Sequence, residues 1–352
     1  MYYSDSKIEN LHRVFMEDNR KNYLRLDLNE NPGGLSEDFI KEVLREVSPQ
    51  TLSEYPEMGE FTDTLAAYLG TDRDHLCLVN GSSEGIRYII QVFSAPGGRI
   101  VGVTPSYAMF EVYAEMYGRE FFPVPYTENL EMPIERVLEA MTADTQLLIL
   151  VNPNNPMGNA YSREEFLQIL DQAEQNDITI LVDEAYFYFY PETFIDYALN
   201  RKHIFITRTF SKLFSLAGAR LGYVVGWPEG IALLQKMCTP HNVNIFAELF
   251  AQKIIETPGM IEALIQKHRE GRDYLEDALT KAGYSYQGKN GNFIFIRQNT
   301  DADILVQKMK DEKGILIKSY QGIGKFGTCL RVSTAEKQYM ERFMQALLEL
   351  DK

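Results

Sequence analysis

Cysteine is scarce: Cys77, Cys238 and Cys329 are the only three in 352 residues, widely separated and odd in number. No CxxC pair and no Cys/His ligand spacing is present, so neither a disulfide framework nor a metal module is indicated and the thiols read as reduced. No stretch approaches ~18 uninterrupted apolar residues, so no membrane span is expected. The opening residues MYYSDSKIENLHRVF carry charges and lack the apolar core and small-residue cleavage site of a signal peptide. Basic residues are also in deficit, with 35 Lys and Arg against 50 Asp and Glu and a formal net charge of -15. That balance repels nucleic acid and anionic membranes at long range, yet permits a local basic pocket for a small anion. Long like-charge runs, internal repeats, low-complexity tracts and Pro/Ser-rich linkers are absent too. The expectation is a soluble, cytoplasmic protein whose parts pack closely.

What is present is an ordinary globular composition, 45% hydrophobic and 24% charged, in a chain long enough for about two domains. From about residue 75 to 225, short apolar runs alternate with helical patterns, the mark of βαβ units and a largely parallel sheet. The runs Arg99 to Thr104, Gln146 to Val151, Ile178 to Val182 and His203 to Thr207 read as strands. Between them Ser162 to Gln175 reads as a helix, opened by a capping box of Ser162 and Glu165. After about residue 245 the pattern changes to helices over Ile245 to Glu256 and Met260 to Ala282, strands over Asn292 to Arg297 and Gly314 to Lys318, and a last helix from about Glu336. This is an α/β protein: a doubly wound large domain and a smaller α+β domain.

Four segments carry chemistry. In Arg208-Thr-Phe-Ser-Lys-Leu-Phe-Ser-Leu-Ala-Gly-Ala-Arg220, hydroxyls, a lysine and an arginine leave a strand end together, where open α/β sheets bind ligands. Thr209, Ser211 and Arg220 suit a phosphate and Lys212 suits imine formation with an aldehyde, although a Ser/Thr-rich turn with solvated charges would look the same. In Ile178-Thr-Ile-Leu-Val-Asp-Glu-Ala-Tyr186, Asp183 follows a strand and either caps what comes next or pairs with a protonated pyridine nitrogen, with Tyr186 in reach of a ring oxygen. In Asn80-Gly-Ser-Ser-Glu-Gly85, Gly81, Ser82 and Ser83 open a helical pattern, offering an ordinary N-terminus or a phosphate seat. Val151-Asn-Pro-Asn-Asn-Pro-Met-Gly158 is a preset loop in which Asn155 offers an amide.

Taken in this order, with Leu28-Asn-Glu-Asn-Pro32 before them and Leu330-Arg-Val-Ser-Thr334 after, the segments resemble pyridoxal 5′-phosphate (PLP) enzymes of fold type I, the aspartate aminotransferase superfamily. Within its class I/II aminotransferases the resemblance is strongest to histidinol-phosphate aminotransferases. It implies the PLP-transferase fold, with residues 1–45 as an arm and part of the small domain, 46–245 as the large domain with a mostly parallel sheet flanked by helices, and 246–352 as the small domain. It implies that Lys212 holds PLP as a Schiff base and later carries the proton, that Asp183 pairs with the pyridine nitrogen, and that Tyr186 and Asn155 meet the phenolic oxygen. Tyr107 would stack on the ring. Ser82, Ser83, Thr209, Ser211 and Arg220 would hold the phosphate, joined by Tyr55 from the other subunit of an obligatory homodimer. Arg331 would grip a substrate anion, with Asn155 also touching substrate. The implied reaction passes an amino group from an amino acid or histidinol phosphate to a 2-oxo acid, by a ping-pong route.

Several positions depart from the histidinol-phosphate pattern. Leu-His-Arg-Val-Phe15 stands in place of a proline-tyrosine arm, Gly33-Gly34 replaces tyrosine-glycine, and Lys318 stands where an arginine would meet a substrate phosphate. Lysine keeps the charge but loses the bidentate fork. His241 occupies an aromatic's place and is either a pocket residue or a loop histidine. A threonine-phosphate decarboxylase and a carbon–sulfur lyase share the cofactor motifs and stand as alternatives. A ligand-sensing module of a transcription regulator would carry a DNA-binding domain, whereas only about 25 residues precede the first motif and the charge opposes DNA.

Overall fold

The apolar runs at the centre of the chain form a seven-stranded sheet in the computed structural model, which describes residues 4, 6–9, 11, 19–57 and 59–352. Its strands are β1 (Leu76–Val79), β2 (Arg99–Thr104), β3 (Glu120–Pro125), β4 (Thr145–Val151), β5 (Thr179–Asp183), β6 (Ile204–Thr209) and β7 (Gly222–Gly226). They lie in the order β1-β7-β6-β5-β4-β2-β3. The pairs from β6 across to β3 are parallel, and β7 is antiparallel to both its neighbours. The expected α/β architecture with a mostly parallel sheet is therefore observed. The proline-tyrosine departure at 12–15 lies outside the described residues.

Parallel strands covered on both faces need side chains that are apolar on both. In β4 and β5 alternate residues supply two cores: Leu148, Leu150, Ile180 and Val182 on one face, Leu147, Ile149, Val151 and Leu181 on the other. Helix Ser82–Phe93 covers the second face through Ile86, Ile89 and Ile90. Helix Arg163–Gln175 covers the first through Phe166, Ile169 and Leu170, and it begins with the expected capping box between Ser162 and Glu165. The reversal at β7 has a simple cause. Residues 210–221 contain no helix, and a parallel return needs a crossover that usually includes one. The chain turns back instead, which sets β7 between β6 and the edge strand β1.

A second sheet is antiparallel throughout: β8 (Ser285–Gln287), β9 (Phe293–Arg297), β10 (Lys318–Ile323) and β11 (Gly327–Ser333), in the order β10-β11-β9-β8. Ile294 and Ile296 of β9 pack with Leu330 and Val332 of β11 against helices Met260–Lys281, Ala302–Lys313 and Lys337–Leu350. Phe295 and Cys329, pointing the other way, join the large-sheet core. The early segment Leu24–Arg25 pairs in parallel with Ile315–Leu316, so Leu24 and Leu26 belong to the second core. Phe39 and Val43, and beyond residue 245 Ala247, Ala251 and Ile254, pack in the first. Among the described residues no helix is long and apolar enough to cross a membrane.

Candidate active site

The strands β1, β4, β5 and β6 point their carboxyl ends the same way, and the segments leaving them enclose, with Leu28–Glu30 and the second sheet, a cavity of about 570 Å³. Four cations line it, Lys212, Arg220, Lys318 and Arg331, against two carboxylates, Glu30 and Asp183. An anionic ligand is what such a wall favours.

Lys212 sits on the turn between β6 and β7 and donates from Nζ to the Leu28 carbonyl at 3.0 Å. Burial lowers its amine to about 8, with Arg331 pushing the same way and Glu30 opposing. Asp183 ends β5. Burial raises its carboxyl to about 6, against the pull of hydrogen bonds from Thr207 Oγ1 at 3.0 Å and the Ala185 amide at 3.2 Å. Both donors reach Oδ1. The local-turn role is thus real and still leaves Oδ2 for a cationic partner. Behind it, Glu184 is fixed by Arg208 from Nε at 2.9 Å and Nη2 at 2.7 Å, by Thr193 and by the Phe194 amide at 2.9 Å. The Arg208 guanidinium also lies 3.7 Å from the centre of the Phe187 ring.

On the far wall Tyr186 is buried and its hydroxyl accepts from Asn29 Nδ2 at 2.8 Å. Arg331 is buried as well. Its Nη1 donates to Asn155 Oδ1 at 3.0 Å and its Nη2 to the Asp27 carbonyl at 2.6 Å, while Nε has no hydrogen-bond partner among the described residues. Lys318 stands directly opposite Arg331 across β10 and β11. Like charges in that register repel, and burial together with Arg331 lowers the Lys318 amine.

The near end is built for an anion. Helix Ser82–Phe93 starts at Gly81, φ 80°, with no side chain capping its first amides, so those N–H groups and the helix dipole face the cavity. A Cβ at Gly81 would overlap the Arg220 guanidinium. Glycine is therefore what lets Arg220 lie across the helix start. Ser211 Oγ accepts from Thr209 Oγ1 at 2.9 Å and from Arg220 Nη1 at 3.3 Å, and Ser83 Oγ pairs with the Tyr107 hydroxyl at 3.0 Å.

Twelve of the residues singled out in the sequence therefore share one cavity wall: Ser82, Ser83, Tyr107, Asn155, Asp183, Tyr186, Thr209, Ser211, Lys212, Arg220, Lys318 and Arg331. Tyr55 and His241 are not on that wall. They stack on each other, ring centres 4.6 Å apart and planes 15° apart, with Tyr55 81% exposed. The sequence reading assigned no role to Asn29, Glu30, Glu184 or Arg208, although all four fall inside quoted motifs.

An uncapped helix start crossed by an arginine suits a phosphate ester. A buried amine suits an aldehyde, and a buried carboxylate with one free oxygen suits a pyridinium. The residues present fit PLP. The chain belongs to the aminotransferase class I and II family, whose model matches residues 21–347. It is a PLP-dependent aminotransferase. Among its relatives, the histidinol-phosphate aminotransferase of Moorella thermoacetica is 30% identical over 337 residues, covering 94% of this chain and 86% of that one; that of Geobacter sp. strain M21 is 31% identical, covering 93% and 92%. The histidinol-phosphate aminotransferase structure from Clostridium acetobutylicum superposes with a TM-score of 0.81 at 27% identity, covering 93% and 99%. At 22% identity, the Sinorhizobium meliloti structure in complex with pyridoxal-5′-phosphate shares the fold, with a TM-score of 0.89 and coverage of 99% and 98%.

Proposed function

We propose that the enzyme moves an amino group from a donor bearing a distal anion, histidinol phosphate or an acidic amino acid, to a 2-oxo acid, in two half-reactions at the Lys212 cavity. The observation that carries this reading is the Lys212 amine sharing one enclosed wall with Asp183, an anion seat at one end and the Lys318 and Arg331 pair at the other.

Bound PLP supplies an aldehyde that condenses with amines and a protonated ring that accepts the electron pair left on the donor carbon. Ser82 and Ser83 amides, Thr209, Ser211 and Arg220 would hold its phosphate. Tyr107 would cover the ring face, and Tyr186 with Asn155 would meet the phenolic oxygen. Asp183 would hold the proton on the pyridine nitrogen. Lys212 would hold the aldehyde group, and its Nζ would take the proton from the donor carbon. An amine lowered to about 8 is neutral in about one molecule in ten at pH 7, far more than an ordinary lysine, and the neutral form is the one a base requires. Arg331, planar and already tied to Asn155 and Asp27, orients a carboxylate or phosphate, and Lys318 adds a second charge.

The Tyr55 ring, exposed and off the cavity wall, would complete the site of the other subunit in a homodimer. His241, stacked against it, would act there through Tyr55. The test is the visible spectrum of the purified holoenzyme on adding histidinol phosphate without any 2-oxo acid. Conversion to the amine form of the cofactor supports the donor. No change rejects histidinol phosphate and directs the search to acidic amino acids, and carbon dioxide release without an acceptor rejects transamination.

A further inference from the structure

The fold brings together two thiols that the active site does not use. Cys77 lies in β1 on the face covered by helix Ser82–Phe93. Cys238 follows helix Pro228–Gln235 and is half-buried. Their sulfurs are 3.6 Å apart although 161 positions separate them in sequence. Both also approach the Leu78 carbonyl, at 3.8 and 3.9 Å, which accepts from Asn242 Nδ2 at 2.9 Å as well. The 238–242 segment is thus docked on β1 by its two ends. One residue before Asn242, His241 stacks on Tyr55. At its other end β1 runs into Gly81 and the Ser82 and Ser83 amides.

We propose that Cys77 and Cys238 are an oxidisable dithiol that closes to an intramolecular disulfide under a peroxide, at the base of the cofactor-phosphate seat. A disulfide needs sulfurs about 2.05 Å apart, so closure requires an approach of about 1.5 Å between β1 and the segment after helix Pro228–Gln235. The two thiols differ in reactivity. Cys77 is fully buried in the core, Cys238 is half-buried, and either sulfur can donate to the other. The half-buried Cys238 is therefore the sulfur that meets the oxidant. Its thiolate attacks one peroxide oxygen; the O–O bond breaks, hydroxide leaves and takes up a proton as water, and Cys238 becomes a sulfenic acid. The Cys77 sulfur then attacks the Cys238 sulfur, the S–O bond breaks, and the Cys77 proton leaves with that oxygen as a second water. Two thiols and one peroxide become one disulfide and two waters.

Closure pulls on the strand that presents the Ser82 and Ser83 amides, so the linked form releases PLP faster. That consequence rests on the assignment of the phosphate seat; the link itself does not. The experiment treats the holoenzyme with hydrogen peroxide, alkylates remaining thiols, digests without reductant and reads the peptides by mass. The expected product is a Cys77–Cys238 linked peptide pair about 2 Da lighter than the two reduced peptides together, with Cys329 still a thiol and the link reversed by a phosphine. Cys238→Ser removes it, and peroxide-treated Cys238→Ser releases PLP at the untreated rate, whereas the linked wild type releases it several-fold faster. Cys238 carried to sulfinic acid with Cys77 still reduced would overturn the dithiol. A linked enzyme that keeps PLP as well as the reduced one would overturn the coupling to the phosphate seat and leave its assignment intact.

Discussion

Replacing Asp183 by Asn is expected to make the cofactor-free protein more stable at neutral pH while disabling the enzyme. The carboxyl is held at about 6, against an ordinary 3.8, chiefly because it is buried. An acid whose pKa is raised by folding favours the fold below its unfolded value, and that advantage is lost as pH rises through the folded value. Above about pH 6 the folded state therefore carries an ionised group it would rather protonate. At about 1.4 kcal/mol per pH unit, the cost is about 3 kcal/mol at pH 7 and about 1 kcal/mol at pH 4.5. Asparagine avoids that cost and keeps an Oδ1 to accept from Thr207 and the Ala185 amide, so little hydrogen bonding is lost. Urea unfolding of PLP-stripped wild type and Asp183→Asn at the two pH values measures the difference. The variant should gain about 3 kcal/mol at pH 7 and about 1 kcal/mol at pH 4.5. With PLP bound the order should reverse, because only the carboxylate gains a pyridinium partner. A variant no more stable than wild type at pH 7, or one whose gain is the same at both pH values, would refute the reasoning.

Lys212→Ala should leave PLP removable by dialysis after borohydride treatment and lower the half-reaction rate by at least about 10³-fold; covalent labelling of the variant would show another amine in the role. Arg331→Lys should raise KM for both acidic substrates by about 10–100-fold with a smaller effect on kcat, as expected for losing a bidentate anion contact. If the neighbouring subunit supplies Tyr55, mixing Tyr55→Ala with Lys212→Ala under subunit exchange should restore activity that neither has alone, and no recovery would place Tyr55 outside the site. Arg208→Met would strand Glu184, whose side chain is 0% exposed, and should cost about 3–5 kcal/mol in urea unfolding; a loss under about 1 kcal/mol would mean that Glu184 is solvated by other means.

The parallel centre of the sheet was legible because strands covered on both faces carry near-continuous apolar runs, as Leu147–Val151, Ile180–Val182 and Ile204–Ile206 do. Strand β3 was not: Pro123 and Pro125 argue against a strand, and the sheet accepts them only because β3 is its edge. Strands β10 and β11 were missed in part for the opposite reason: Lys318 and Arg331 are polar because they line the cavity, and Ser319 and Gln321 because they bond to Asp303 and Thr328 on the other side. The cofactor wall could be anticipated because each of its residues sits next to a strand end, so position in sequence translates directly into position in space. Asn29 could not be treated that way. Its partners Tyr186 and Ser333 are 157 and 304 positions away, and no local pattern encodes such a contact. The stacking of Tyr55 on His241 is a contact of the same long-range kind, and no local pattern encodes it.

The pairing of Leu24–Arg25 with a segment near the other end of the sequence sets an order of events during synthesis. Leu24–Arg25 has no strand partner until Ile315–Leu316 exists, and the Asp27 carbonyl waits for Arg331. A nascent chain can complete the large sheet, expose Lys212 and present the helix amides at Ser82 while the opposite wall of the cavity is still unmade. Loop closure over some 300 residues is then the step that encloses the site. A ribosome-bound chain halted before residue 315 would therefore present Lys212 in an open trough, without Arg331 and without the strand that seats the Leu28–Glu30 segment beside the amine.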